Sequence, residues 1–229
     1  MTGMELRRAR KRKGWNQQQA SARLGVSQPY LSLLERRHRR LTPRLVARAT
    51  RVFGLPLTSL PLKPVDSEPQ TLQQVAEELS ALGYPGFAYM PTKRKRNPAA
   101  VLVAALRQDH LEARLAEALP WVLLNYPDLD WKWLLAQARL HNLQNRLGFL
   151  VALALMKLEE KGELQSRRYR NLHDAEEELQ SSRLAQEDAF GEATLTPGER
   201  QWLRENRPES AAHWNLLSDL SPKHLKYAA

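Results

Sequence analysis

Between Gly14 and Gly54 the chain is punctuated so closely that only short helices fit. Asn16 is a favoured helix-start residue, and Gln19 can reach back to it from three residues on, a reciprocal capping box. Ala20 and Leu24, with Trp15 just ahead, supply the apolar contacts of this helix, and Gly25 ends it. Val26 plugs the short turn, Ser27 caps the next helix, and Pro29 sits in its first turn, where a missing N–H costs little. On either side, Met4 to Lys13 reads as a helix with Leu6 and Ala9 inward, stopped by Gly14. Thr42-Pro43 starts a further helix with Leu45, Ala49, Val52 and Phe53 inside, stopped by Gly54.

Two short helices joined by Gly25-Val26-Ser27, with the small Ala20 at their crossing, have the geometry of a helix-turn-helix. Charge points the same way. Through Leu60 there are 14 Lys and Arg against only Glu5 and Glu35, a net +12, whereas the rest of the chain carries 21 basic and 23 acidic residues. Positive charge confined to one quarter of a chain is the footprint of a nucleic-acid-binding module attached to a near-neutral body, or else of a solvated basic arm.

The string Leu6-Arg7-Arg8, Gly14-Trp15-Asn16-Gln17, Ala20, Leu24-Gly25-Val26-Ser27-Gln28, Leu31-Ser32 and Leu34-Glu35 resembles the Cro/cI-type, or XRE, helix-turn-helix family over about Met4 to Pro56. The resemblance implies that the third helix enters the major groove of double-stranded DNA. Helical spacing sorts that helix without it. Leu31 and Leu34 fall on the core stripe, while Gln28, Pro29, Ser32, Leu33 and Arg36 fall opposite, where each either contacts a base or is simply solvated. Gln28 suits adenine, Ser32 either base type, and Leu33 the thymine methyl. Asn16 and Gln17, at a helix start, and Arg37, Arg39 and Arg40 in the following loop are the candidates for the DNA backbone. Family members more often have glycine near Arg36 or Arg37, which leaves the path of this loop open. The resemblance also pairs Arg10 with Glu35 inside the domain.

The remaining chain shows helical patterns separated by Pro-rich stretches, and no strand pattern. The expected architecture is all-α: a five-helix helix-turn-helix domain over 1–62, a linker with one helix over 63–98, and a larger helical domain over 99–229 that dimerises or binds a partner. Within these regions Thr71 to Leu82 reads as a helix, and Lys93-Arg94-Lys95-Arg96 as a solvated loop or a second phosphate contact. Pro98 to Leu119 reads as one helix, with Pro120 and Pro127 bracketing a connector, and a long helix follows to about Glu160. Leu147 to Met156 is apolar on nearly every side, so it is buried either in the domain or in a dimer contact. From Glu163 onward the chain is charged with a thin apolar stripe, then carries Trp202 and Trp214, and reads as an arm for a partner or a hairpin on its own core.

Function classes narrow accordingly. No cysteine is present, which removes disulfides, thiol nucleophiles and cysteine-zinc sites. The longest apolar run is about half of the ~20 residues that span a bilayer, no secretory signal is evident, and a cytoplasmic protein without membrane contact is expected. The six histidines (His38, His110, His141, His173, His213, His224) are scattered, and no phosphate-binding loop, dinucleotide fingerprint or nucleophile elbow occurs. His141-Asn142 lies among Gln137, Gln144 and Asn145 as a candidate polar network. The expectation is a DNA-binding transcriptional repressor without catalytic residues, metal or cofactor, acting as a homodimer on an inverted repeat. The alternative is an antitoxin-like protein whose C-terminal region neutralises a toxin-like partner.

Overall fold

The computed structural model describes residues 1–62, 70–91, 95–190 and 194–227. Among the described residues the chain is all-α apart from one minimal strand pair, and it divides into two compact units, Met1–Lys63 and Pro64–Ala229.

In the first unit the helices are α1 (Gly3–Arg12), α2 (Gln17–Leu24), α3 (Gln28–Glu35) and α4 (Pro43–Phe53). The fifth element of the expected set is a single 3-10 turn at Leu57–Ser59. Local chemistry accounts for each start. Asn16 and Gln19 form the reciprocal box, Ser27 accepts from the Tyr30 amide, and Thr42 accepts from the Leu45 amide. α1 opens one residue earlier than its pattern suggests, because Thr2 and Glu5 form a capping box of their own. Gly25 and Gly54 close α2 and α4 in the left-handed conformation, at φ 61° and 63°. The helices close on Leu6, Ala9, Ala20, Leu24, Leu31, Leu34, Leu45, Ala49 and Phe53. α1 lies so near the end of α3 that a Cβ at Gly3 would overlap the Leu34 carbonyl.

The second unit comprises α5 (Leu72–Leu82), α6 (Pro98–Leu106), α7 (Ala113–Asn125), α8 (Trp131–Leu140), α9 (Gln144–Glu160), α10 (Arg167–Gln180), α11 (Pro197–Asn206) and α12 (Glu209–His213). α9 is its axis, contacted by α7, α8, α10 and α12. α5, expected within a linker, buries Val75, Ala76 and Leu79 and packs on α6 in this unit. The Pro-rich stretch 63–69 and, from the basic run, Lys93 and Arg94 lie outside the described residues. Arg96 from that run is paired with Glu78 at 2.8 Å.

Three helix boundaries differ from their sequence patterns. Pro98 to Leu119 is two helices, since the polar run Arg107 to His110 ends α6 and Arg146 donates to the Leu106 carbonyl at 2.8 Å. Pro120 lies inside α7 and does not end it: Trp121, Val122, Leu123 and Leu124 beyond it are all buried, and that burial keeps the chain helical past one missing N–H. The long helix breaks at His141–Leu143, where Asn142 takes φ 56° and the Leu143 amide bonds the Ala138 carbonyl, a left-handed helix ending that asparagine tolerates.

The apolar run is buried within the unit itself from Leu147 to Leu155, and all nine residues of α6 are buried. Parts of the C-terminal stretch are core as well, although α11 buries no residue. α10 lies along α9 with Leu172, Ala175 and Leu179 buried. Trp214 is fully buried, with its ring where a Cβ at Gly148 of α9 would stand. Trp202 alone of the pair stays outside, 55% exposed. The strands β1 (Asp188–Ala189) and β2 (Leu216–Leu217) pair in parallel, Asp188 with Leu216 and Ala189 with Leu217. Two residues each are too few to show an alternating pattern, so no sequence signal marked them.

Candidate nucleic-acid interface

α3 presents two faces. Leu31 and Leu34 have no exposure, whereas Gln28, Pro29 and Arg36 are exposed, Ser32 is half-buried and Leu33 is 40% exposed. All five expected base-reading residues therefore share the outer side of one helix. Asn16 is exposed at the start of α2, Gln17 is half-buried beside it, and Arg36, Arg37, His38, Arg39 and Arg40 are all exposed in the link to α4.

A chain of hydrogen bonds fixes this face to the domain. Gln28 Nε2 donates to Gln17 Oε1 at 2.8 Å, and Gln17 Nε2 donates to Glu35 Oε2 at 2.9 Å. Glu35 is held by two bonds from Arg10, at 2.6 and 2.9 Å, and Arg10 Nη1 donates to the Trp15 carbonyl at 2.8 Å. The start of α3, the start of α2, the end of α3 and α1 are thus one connected unit. Gln28 spends one N–H in it, which leaves a second N–H and the carbonyl oxygen, the donor and acceptor that an adenine edge requires. Gln17, expected at the DNA backbone, instead has its amide engaged on both sides within the domain.

Burial raises the Glu35 carboxyl, but the hydrogen bonds from Arg10 and Gln17 and the charges of Arg10 and Arg7 outweigh it, leaving the group below the ordinary glutamate value. Its bond to Glu35 likewise raises Arg10. Glu35 is therefore a charged, internal part of the frame.

The loop whose path the sequence left open is a left-handed helix ending. Arg37 takes φ 64°, its amide bonds the Leu34 carbonyl, and the His38 amide bonds the Leu33 carbonyl at 2.9 Å. An arginine stands where the conformation favours glycine, at a cost of roughly 1–2 kcal/mol. Arg48 was not marked by any local pattern: from α4 its Nη1 donates to the Leu24 carbonyl at 2.8 Å, holding the end of α2. A contact across 24 residues leaves no spacing signal.

An exposed polar helix face beside an arginine-rich loop, on a four-helix frame, defines a DNA-binding helix-turn-helix domain. Residues 6–60 match the helix-turn-helix family model, so the N-terminal quarter of the chain is a domain of this XRE type, the domain of a DNA-binding transcription regulator. No curated protein and no solved structure matches the chain.

Elsewhere, the exposed His173, Asp174 and Glu177 on α10 bring possible ligand atoms within 4.8 Å of one another, and exposed acidic groups of this kind are common without an ion. No helix among the described residues is long and apolar enough to cross a membrane.

Proposed function

We propose that the protein is a sequence-specific regulator of double-stranded DNA, a transcriptional repressor that acts as a dimer on an inverted repeat. The observation that carries this reading is the outer face of α3, where Gln28, Pro29, Ser32, Leu33 and Arg36 stand together beside the exposed Arg37, Arg39 and Arg40. Gln28 and Ser32 read base edges, Leu33 and Pro29 touch apolar base surface, and Arg36 meets a base or the groove wall. Asn16, Gln17, Arg37, Arg39 and Arg40 set the register on the phosphates, Gln17 through its helix-start backbone because its side chain is engaged. One such helix spans too few base pairs for useful discrimination, and two-fold symmetry supplies the second half-site. The partner-neutralising alternative drew its motive from a free C-terminal arm, whereas α10 and Trp214 belong to the core of the second unit.

Selection of bound duplexes from a random pool with the full chain tests this. The expected product is an inverted repeat with half-sites about 34–36 Å apart. Gln28→Ala with Ser32→Ala removes that preference at about 1–3 kcal/mol per base contact and leaves non-specific binding. Arg39→Ala with Arg40→Ala weakens all sequences alike. Recovery of no enriched sequence, or equal loss on specific and random duplexes for the Gln28/Ser32 variant, overturns the assignment.

A further inference from the structure

The first unit holds two carboxylates, Glu5 and Glu35, and both are engaged inside it. Glu5 Oε2 accepts from the Thr2 amide at 2.8 Å, and Glu35 is taken by Arg10 and Gln17. The unit's other cations therefore have no acid within it left to pair with. Some serve the frame: Arg48 donates to the Leu24 carbonyl, and Arg23 donates to the Gln19 carbonyl with its guanidinium 4.3 Å from the Trp15 ring centre. Arg36, Arg37, Arg39 and Arg40 stand in the loop beside the reading helix.

Arg7, Arg8, Lys11 and Arg12 of α1 belong to neither group. Leu6, Ala9 and Arg10 turn inward, and these four are exposed on the opposite side of the helix. Arg7 with Lys11, and Arg8 with Arg12, are like charges four residues apart, a spacing that destabilises a helix. The helix dipole offsets this for Lys11 and Arg12 in the last turn, but not for Arg7 and Arg8 before it. Positive charge kept against that repulsion fits an anionic surface that relieves it.

The position of α1 selects which surface. A Cβ at Gly3 would meet the carbonyls of Leu34 and Glu35, so α1 starts against the end of α3. Arg7 lies one turn further along, and its charge reaches the Glu35 carboxylate. Arg36 follows Glu35 and ends α3, with the exposed Arg37, Arg39 and Arg40 next. The α1 stripe is thus continuous with the basic loop. From Arg7 to Arg12 it runs about 7.5 Å at ~1.5 Å per residue, roughly two phosphate steps along one strand of a duplex.

We propose that the outer face of α1, through Arg7, Arg8, Lys11 and Arg12, binds the sugar–phosphate backbone of double-stranded DNA next to the bases that α3 reads. This rests on α3 being the DNA-facing helix, and continuity with its loop favours DNA over an acidic protein. The stripe adds phosphate contacts and no base contact, so it strengthens binding to every sequence alike.

Binding of the full chain to duplexes, followed by fluorescence anisotropy across a salt series, tests the proposal. Arg8→Gln, Lys11→Gln and Arg12→Gln together put good helix formers on the surface and leave Arg7 beside Glu35 untouched. This triple variant should lower the slope of log affinity against log salt by about 2–3, near 0.9 per phosphate lost, on selected and random duplexes alike. Its base preference should remain that of the parent. In the unsubstituted protein, bound duplex should protect Lys11 from acetylation, a readout independent of how the variant folds. The proposal is overturned by an unaltered slope in a folded variant, by a shifted base preference, or by Lys11 reacting equally with and without duplex. Failure of the α3 reading looks different: no sequence is enriched, while the slope change on random duplex remains.

Discussion

The two units hold their helix ends in different ways. In the first, Thr2, Asn16, Ser27 and Thr42 each close a helix start from the adjacent residue, and Gly25 and Gly54 close helix ends. In the second, some starts are capped locally, by Thr71, Asn97, Asp130, Ser166 and Thr196, but α7, α9 and α12 have no side-chain cap. Gly83 closes α5 as Gly25 closes α2, but several of the second unit's helix ends also take donors from further away than Arg48 reaches in the first unit: Tyr126 Oη bonds the Leu82 carbonyl at 2.6 Å, Arg146 the Leu106 carbonyl, and Arg168 the Leu124 carbonyl at 3.2 Å. Those partners lie 40 to 44 residues away along the chain. Local closure makes the first unit a self-contained frame, whereas remote closure ties the second unit's segments together around α9. The difference also predicts that the first unit, whose four α-helices all start on local caps, forms faster.

The largest test of this contrast removes the anchor of the C-terminal stretch. Trp214→Ala empties a fully buried site against Gly148 and should cost the second unit about 4 kcal/mol. Hydrogen exchange should quicken across α9 and α10 while the amides of α2 and α3 keep their protection. Unchanged exchange in α9 would show that the tail is not core.

The next test strikes a buried long-range ion pair of the first unit. Glu35→Gln leaves Arg10 buried without its counter-charge and should destabilise that unit by about 3 kcal/mol in urea unfolding. Because the Glu35 carboxyl is held below its unfolded value, its contribution is fully present above the unfolded pKa and lost as pH falls through the folded one. Acid should therefore erode the parent's first unit over that window, with the Glu35→Gln variant lacking this component. An identical acid profile for both would remove the ion pair from the account.

The smallest effect separates fold from function at one residue. Arg37→Gly relieves the left-handed arginine and should stabilise the first unit by about 1 kcal/mol. The same change should lower the salt dependence of DNA binding by about one counterion if Arg37 meets a phosphate. Greater stability with an unaltered salt slope would assign Arg37 to the loop alone.

The sequence by itself determined the DNA-binding unit, because its signals are short-range. A cap and its amide, or a glycine and its turn, lie within three or four residues, so Asn16, Gly25, Ser27 and Thr42 could be read directly, and helical spacing then placed Gln28, Ser32 and Leu33 outside. The tie from Gln28 through Gln17 to Glu35 was not legible, since side-chain amides choose partners only once α2 and α3 are packed. In the second unit the helical character was legible and the breaks were not. Pro120 looked like a stop and is carried by burial on either side, while Asn142 looked like helix interior and is a left-handed ending. Whether Trp214 served a partner or the core was likewise decided only in three dimensions, because hydrophobic burial is non-directional and depends on which surface arrives opposite. That surface is Gly148, 66 residues away, whose missing side chain leaves the space that the indole fills.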